Sequence, residues 1–145
     1  TRKISKGIAQ WKDHDRPIVL GNLTAKRDWG HAEDFVEGMQ LIMDYEKAGD
    51  FVLATGVIHT VRQFLEMAMR YLNIEWYWKG DDCFEKDTDK LISTTDTKHY
   101  RPAEVDVLQG DATKAKTELG WKPKHDTESI MADMVDADMR RYYKK

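Results

Sequence analysis

Apolar residues recur at helical spacing in five segments of this chain, and only short apolar runs separate those segments. This pattern predicts a small α/β lobe, because helices show a 3.6-residue period and buried strands show a short unbroken apolar run. We expect about five helices and a few short, largely parallel strands. A length of 145 residues suits one domain, and no repeat or low-complexity linker divides it, so we predict a single domain over residues 1–145.

The local patterns also give approximate element boundaries. Thr60 and Gln63 have the spacing of a capping box, Asp111 is a candidate helix cap, and Gly120 a candidate helix end. Residues 24–30 are predicted to form a binding loop, in which Asp28 braces the backbone and His31 starts the next helix. We predict helices at about 1–12, 31–48, 60–72, 111–120 and 126–142, strands at about 18–20, 51–54, 74–79 and 105–109, and a loop or irregular hairpin at 83–98.

The charge and cysteine content argue against several classes of protein. The chain has 23 Lys and Arg against 26 Asp and Glu, with both signs interspersed, whereas a general nucleic-acid binder shows a basic stripe. No apolar run approaches the roughly 20 residues of a membrane span. Cys83 is the only cysteine, so no internal disulfide can form, and we expect a cytoplasmic location. No His/Cys set has zinc-site spacing, so no metal ligand is assigned.

Two stretches of sequence are too specific to be explained by composition. Residues 20–36 read LGNLTAKRDWGHAEDFV, and residues 100–111 read YRPAEVDVLQGD, followed by LGWKP at 119–123. They resemble the GDP-mannose 4,6-dehydratases, which are extended short-chain dehydrogenases/reductases. The opening TRKI, the ATG at 54–56 and the TVR at 60–62 fit the same resemblance. It covers nearly the whole chain in order and is weakest over residues 80–99.

The resemblance implies the C-terminal, substrate-binding part of a two-lobed enzyme that converts GDP-mannose to GDP-4-keto-6-deoxymannose. In that family, a Rossmann lobe binds NADP and carries a Tyr/Lys catalytic pair. This sequence has no G-x-G, and none of its six tyrosines is followed by lysine four positions later. We therefore expect no cofactor site and no catalytic residue in this chain, which would be inactive alone and would need a separate Rossmann half.

The resemblance also assigns binding roles to individual residues. It places Arg27 on the nucleotide diphosphate, where a guanidinium can form charge-assisted hydrogen bonds, and the alternative is a surface pair with Asp28. It assigns Arg101 to phosphate and Glu104 to ribose hydroxyls, against an ordinary surface ion pair. Weaker candidates for the same ligand are Asn22, Lys26 and Arg2.

Other functions remain open at this point. The chain could be a stand-alone GDP-sugar-binding module, a structural or interaction module without enzymatic role, or part of another nucleotide-sugar epimerase or reductase. A lobe separated from its partner should expose apolar surface, for which the first two helices are the candidates. Such patches favour association, so we expect a homo-oligomer or a partner-bound state.

Overall fold

The computed structural model describes residues 1–14, 16–100, 105 and 107–143. Five helices lie in these ranges, together with a short 3-10 turn at Thr97–His99. The helices are α1 (Arg2–Trp11), α2 (Ala32–Asp44), α3 (Val61–Tyr71), α4 (Thr113–Leu119) and α5 (Thr127–Tyr143). The strands are β1 (Ile18–Leu20), β2 (Lys26–Asp28), β3 (Ile58–Thr60), β4 (Trp76–Lys79), β5 (Asp82–Glu85), β6 (Leu91–Thr95) and β7 (Val107–Leu108).

The strands form two small mixed sheets. One sheet has the order β1-β6-β5-β4 and the other has the order β3-β2-β7. Only β1–β6 and β2–β7 pair in parallel, whereas β2–β3, β4–β5 and β5–β6 are antiparallel. The prediction of largely parallel strands is therefore wrong for the described residues. The region 83–98 forms the irregular hairpin, with a register shift at Cys83 and Phe84.

The main hydrophobic core lies between three helices and the four-stranded sheet. Helix α1 contributes Ile4, Ile8 and Trp11, which recur at helical spacing on one face. Helices α3 and α5 pack against α1 and against each other. Side chains from β1, β5 and β6 close the core from the sheet side, namely Ile18, Leu20, Cys83 and Ile92.

The ends of several helices match their sequence patterns. Thr60 and Gln63 form the predicted capping box at the start of α3, with both reciprocal hydrogen bonds present. His31 is the N-cap of α2, and Gly120 ends α4 in the left-handed conformation at φ 67°. Asp111 lies one residue before the N-cap of α4, and its carboxylate accepts a hydrogen bond from the backbone N–H of Thr113.

Helix α2 is shorter than predicted and turns its apolar face outward, as expected for one of the first two helices. It ends at Asp44, not near residue 48, and its buried residues are Asp34 and Gly38. Val36 is 62% exposed, Met39 57% and Met43 84%, whereas the apolar face of α1 is buried in the core, contrary to the same expectation. The periodicity of a helix identifies an apolar face but does not say what covers it.

The sheet that contains β2 also differs from its prediction. Residues 26–28 were assigned to a loop because they are charged, yet they form the central strand of the three-stranded sheet. Residues 51–54 have the composition of a buried strand, but the structure assigns them none. No described strand lies beside them, and a strand forms only where a neighbour accepts its hydrogen bonds.

Candidate functional site

The two sequence stretches that carry the family resemblance meet at β2. Strand β7 pairs in parallel with β2, and the register places Lys26 opposite Val107 and Arg27 opposite Leu108. Nη1 of Arg27 also donates a hydrogen bond of 2.8 Å to the carbonyl of Val105. Segments separated by about 80 positions in the sequence therefore lie side by side, as a shared binding site requires.

The guanidinium of Arg27 is held in a defined orientation. Besides its bond to Val105, Nη1 donates to the carbonyl of Lys26 at 2.7 Å. The neighbouring Asp28 carboxylate accepts hydrogen bonds from the backbone N–H groups of Thr55 at 3.0 Å and Gly56 at 2.8 Å. Asp28 thus has a structural role, but it braces the 55–56 turn and not the 24–30 segment as predicted. The carbonyls of Lys26 and Val105 thus orient the cationic side chain.

Lys26 and Arg27 do not act from the same side of the sheet. Successive side chains of a strand point to opposite faces, so these two cations flank β2 on opposite sides. Asn22 precedes the strand, and its Oδ1 accepts hydrogen bonds from the N–H and the hydroxyl of Thr24 at 2.9 and 2.7 Å. Asn22 thus forms a turn through Oδ1, and its binding role stays a prediction.

Arg2 belongs to a contact between helices α1 and α5. Its Nη2 lies 2.9 Å from Oδ1 of Asp138, which is nearly fully buried. The other oxygen of Asp138 accepts a 2.7 Å hydrogen bond from the buried hydroxyl of Ser5. The contacts of Arg2 in the described part of the chain thus hold the two helices together and do not involve β2.

Arg101 and Glu104 lie outside the described residues, so their roles remain predictions. The structure fixes the two ends of the segment that contains them. On one side, the backbone of Gly21 approaches His99 so closely that a Cβ atom would lie 2.6 Å from the His99 carbonyl oxygen. On the other side, Val105 is bound by Arg27. The described residues on either side of this segment therefore lie against the β1–β2 connection and against β2.

Two clefts adjoin this region without including Arg27. A cavity of about 560 Å³ is lined by residues 54–56, 109–113 and 121–123 together with Lys116. Across its mouth, the side chain of Gln109 donates to the carbonyl of Gly56 at 2.7 Å. A larger cavity of about 740 Å³ lies along α1 and β1 and is bordered by Lys3, Lys6 and Arg16. The first cavity includes residues from the stretches at 100–111 and 119–123.

The turn from β2 into α2 does not fit a dinucleotide. Such a turn needs several glycines so that the backbone can approach a pyrophosphate. Gly30 is its only glycine, and the Phe35 ring occupies the space where a Cβ of Gly30 would lie. This glycine makes room for a protein side chain and not for a phosphate, so no step of the chemistry is assigned to a cofactor in this chain.

Comparison with known proteins agrees with the resemblance. The family described as GDP-mannose 4,6 dehydratase matches residues 1–134. The chain belongs to the GDP-mannose 4,6-dehydratase family. The GDP-mannose 4,6 dehydratase of Homo sapiens is 45% identical over 144 residues, which cover 96% of this chain and 39% of that protein. The dehydratase of Sinorhizobium fredii is 39% identical, with 96% and 41% covered. The chain therefore spans about two fifths of its curated relatives.

Solved structures show the same fold at lower identity. RMD from Pseudomonas aeruginosa, complexed with NADPH, has a TM-score of 0.76 and 17% identity, over 97% of this chain and 42% of that one. UDP-glucose 4-epimerase from Thermotoga maritima, with UDP-glucose, has a TM-score of 0.71 and 21% identity, over 98% and 39%. These likenesses confirm the predicted small α/β fold. None of the described helices is long and apolar enough to cross a membrane.

Proposed function

We propose that this chain is the GDP-sugar-binding portion of a GDP-mannose 4,6-dehydratase, and that it orients the nucleotide-sugar without performing the chemistry. The observation that carries the proposal is the pairing of β2 with β7, which brings the two family-specific stretches together. Orientation is a substantial contribution, because holding a reactant in place converts a bimolecular step into an effectively unimolecular one.

Arg27 is the principal binding residue in this proposal. Its guanidinium is half-buried and fixed by two carbonyls, so little side-chain entropy is lost when it binds a diphosphate oxygen. Arg101 and Glu104 would approach from the segment that ends at Val105 and would contact phosphate and ribose. Lys26 lies on the opposite face of β2 and contributes long-range positive charge, not a direct contact.

The oxidation and dehydration chemistry would come from a Rossmann half that binds NADP. The surface that would receive it is the exposed apolar face of α2, formed by Val36, Met39 and Met43, together with Val52. The same face would otherwise pair with a second copy of this chain. A cytoplasmic location fits this enzyme and the single buried thiol of Cys83.

Calorimetric titration of the purified chain tests the proposal. GDP-mannose and GDP should bind, UDP-glucose should bind more weakly, and Arg27→Ala should abolish detectable binding of the GDP ligands. Lys79→Ala, which removes an exposed lysine from β4 in the other sheet, is the matched control and should bind normally. Because Arg27 also holds Val105, circular dichroism must show that the variant remains folded.

The same titration separates this proposal from its rivals. No binding of any GDP ligand to the chain, alone or mixed with the Rossmann half of a relative, would leave only a structural or interaction role. Equal binding of UDP-glucose and GDP-mannose would point to a different nucleotide-sugar enzyme. Binding that appears only in the mixture would show that the site is completed by the second half.

A further inference from the structure

Two imidazole rings stack where α2 begins and α5 approaches it. His31 is the N-cap of α2, and His125 precedes α5; their ring centroids are 4.1 Å apart with an interplanar angle of 25°. The side chain of His31 is 20% exposed and that of His125 is 30% exposed. Glu33, in the first turn of α2, completes the cluster: one ligand atom from each of the three residues lies within 4.8 Å of the others.

A buried carboxylate fixes the orientation of one ring. Nδ1 of His125 lies 2.9 Å from Oδ1 of Asp34, a residue that is only 2% exposed. The other oxygen of Asp34 accepts hydrogen bonds from the backbone N–H groups of Lys124 at 3.1 Å and His125 at 3.0 Å. Asp34 thus engages Nδ1 of His125 in a hydrogen bond, which leaves Nε2 as the atom that could coordinate a metal ion. Metal-binding histidines in proteins are commonly held by a carboxylate in this way.

We propose that His31, Glu33 and His125 form a site for a divalent transition-metal ion such as Zn²⁺. Two imidazole nitrogens and a carboxylate oxygen are the donors that such ions prefer. Asp133 on α5 is available as a fourth ligand, because its Oδ2 lies 3.7 Å from Nε2 of His31. The carboxylates of Glu33, Asp34 and Asp133 all act on His125, so the local potential favours a cation.

Binding requires a small rearrangement with a defined proton balance. Ligand atoms about 2.0–2.2 Å from a tetrahedral zinc must lie closer together than 4.8 Å, and the exposed Glu33 side chain can close that gap. Nδ1 of His31 accepts a long 3.2 Å hydrogen bond from the N–H of Glu33, so Nε2 carries its proton. Coordination through Nε2 moves this single ring proton to Nδ1 by exchange with solvent, gives up that hydrogen bond and releases no net proton.

The ion would link parts of the chain that are distant in sequence. It would connect the β2–α2 turn to the segment between Trp121 and α5, which Asp34 already joins through hydrogen bonds. This role is structural and lies outside the proposed nucleotide-sugar site, so it neither requires nor implies GDP-mannose binding. The ninety or so positions between His31 and His125 explain why no zinc spacing is visible in the sequence.

The test is calorimetric titration of the full chain, without an affinity tag, with Zn²⁺ and with Mg²⁺ as comparator. We expect one Zn²⁺ per chain, a higher melting temperature with Zn²⁺ but not with Mg²⁺, and a visible absorption band with Co²⁺. His125→Gln and Glu33→Gln should each weaken Zn²⁺ binding at least about tenfold, in line with the loss expected when a site loses one of its groups. His14→Gln and Glu46→Gln are matched controls and should bind normally.

Two results would overturn the proposal. One is the absence of saturable Zn²⁺ binding by the wild-type chain. The other is Zn²⁺ affinity that survives Glu33→Gln unchanged. If His125→Gln unfolds, Glu33→Gln still tests the proposal, because Glu33 is exposed and its substitution leaves the hydrogen bonds of Asp34 intact.

Discussion

Gly38 of α2 lies directly against the indole of Trp121, so that a Cβ atom on Gly38 would stand 2.9 Å from Nε1 of the tryptophan. The same Cβ would lie 2.7 Å from Cδ1 of Leu53. The indole cannot easily move aside, because Nε1 donates a 2.8 Å hydrogen bond to the carbonyl of Asp34. This contact fixes how α2 sits on the rest of the chain.

Replacement of Gly38 by alanine should therefore destabilise the protein. Overpacking costs about 1–3 kcal/mol, and the better helix propensity of alanine returns about 1 kcal/mol, so we expect a net loss of about 1 kcal/mol. Urea denaturation measures the change. Gln40→Ala, at an exposed position of the same helix, should stay within about 0.5 kcal/mol of wild type. Stabilisation by Gly38→Ala would contradict the close contact.

The Asp34–His125 pair should give the stability of the chain a defined pH dependence. The hydrogen bond to Asp34 raises the pKa of His125 above its ordinary 6.5, although desolvation opposes it. Burial acts to raise the pKa of Asp34, but hydrogen bonds from His125 and Lys124 outweigh it and hold that pKa below 3.8. The contribution of His125 to the free energy of unfolding is therefore fully present below pH 6.5 and is lost as the pH rises through the pKa of His125 in the folded protein.

The contribution of Asp34 has the opposite sign. It is present above pH 3.8 and disappears as the pH falls through the lowered pKa. The Asp34–His125 pair should therefore give the free energy of unfolding a plateau between pH 3.8 and pH 6.5. The measurement is made with a chelator present. His125→Gln should flatten the decline on the alkaline side, and an unchanged decline in that variant would exclude the pair as its cause.

Cys83 should be inert in the folded chain. Its side chain is fully buried in the core, and desolvation, with a smaller effect of Glu66, raises the pKa of the thiol to about 12. Because the thiolate is the reactive form, a thiol reagent at pH 8 should modify the protein only as fast as it unfolds. Complete modification in concentrated urea is the control. Rapid reaction of the native protein would show that β5 opens locally.

The exposed face of α2 should control association. Met39→Lys with Met43→Lys should change the free energy of unfolding by less than about 1 kcal/mol in total, because both side chains are largely in solvent. The same double variant should reduce self-association, or binding to a Rossmann half, in sedimentation experiments. Asp81→Lys, at an exposed position of the turn between β4 and β5, changes the net charge by the same two units outside this face and should leave association unchanged. Equal association of all three proteins would place the contact elsewhere.

Much of the helical framework could be predicted from the sequence because its determinants are local. The apolar spacing in α1 and α3, the capping box at Thr60 and the left-handed Gly120 each depend on residues a few positions apart. The sheets were harder to predict from the sequence, because tertiary contacts determine which strands pair. Strand β2 is charged and was mistaken for a loop, while residues 51–54 have strand composition but no described neighbour.

The candidate site was predictable only in its residue types. The resemblance identified Arg27, but the carbonyl of Val105 that orients it belongs to a residue without chemical distinction in the sequence. Strand alternation separates Lys26 from Arg27, and the loop that the sequence predicts at residues 24–30 implies no such alternation. The stacking of His31 on His125 is equally invisible, since no spacing rule joins residues so far apart.

Thr60 is at once the last residue of β3 and the N-cap of α3, so no linker separates the small sheet from the main core. Any displacement of β2 is passed through β3 to a helix whose inner face is fully buried. A ligand that tightens β2 should therefore slow amide hydrogen exchange in α3, well away from its own contacts. The site and the core then respond as one mechanical unit, and core substitutions become a route to tuning affinity.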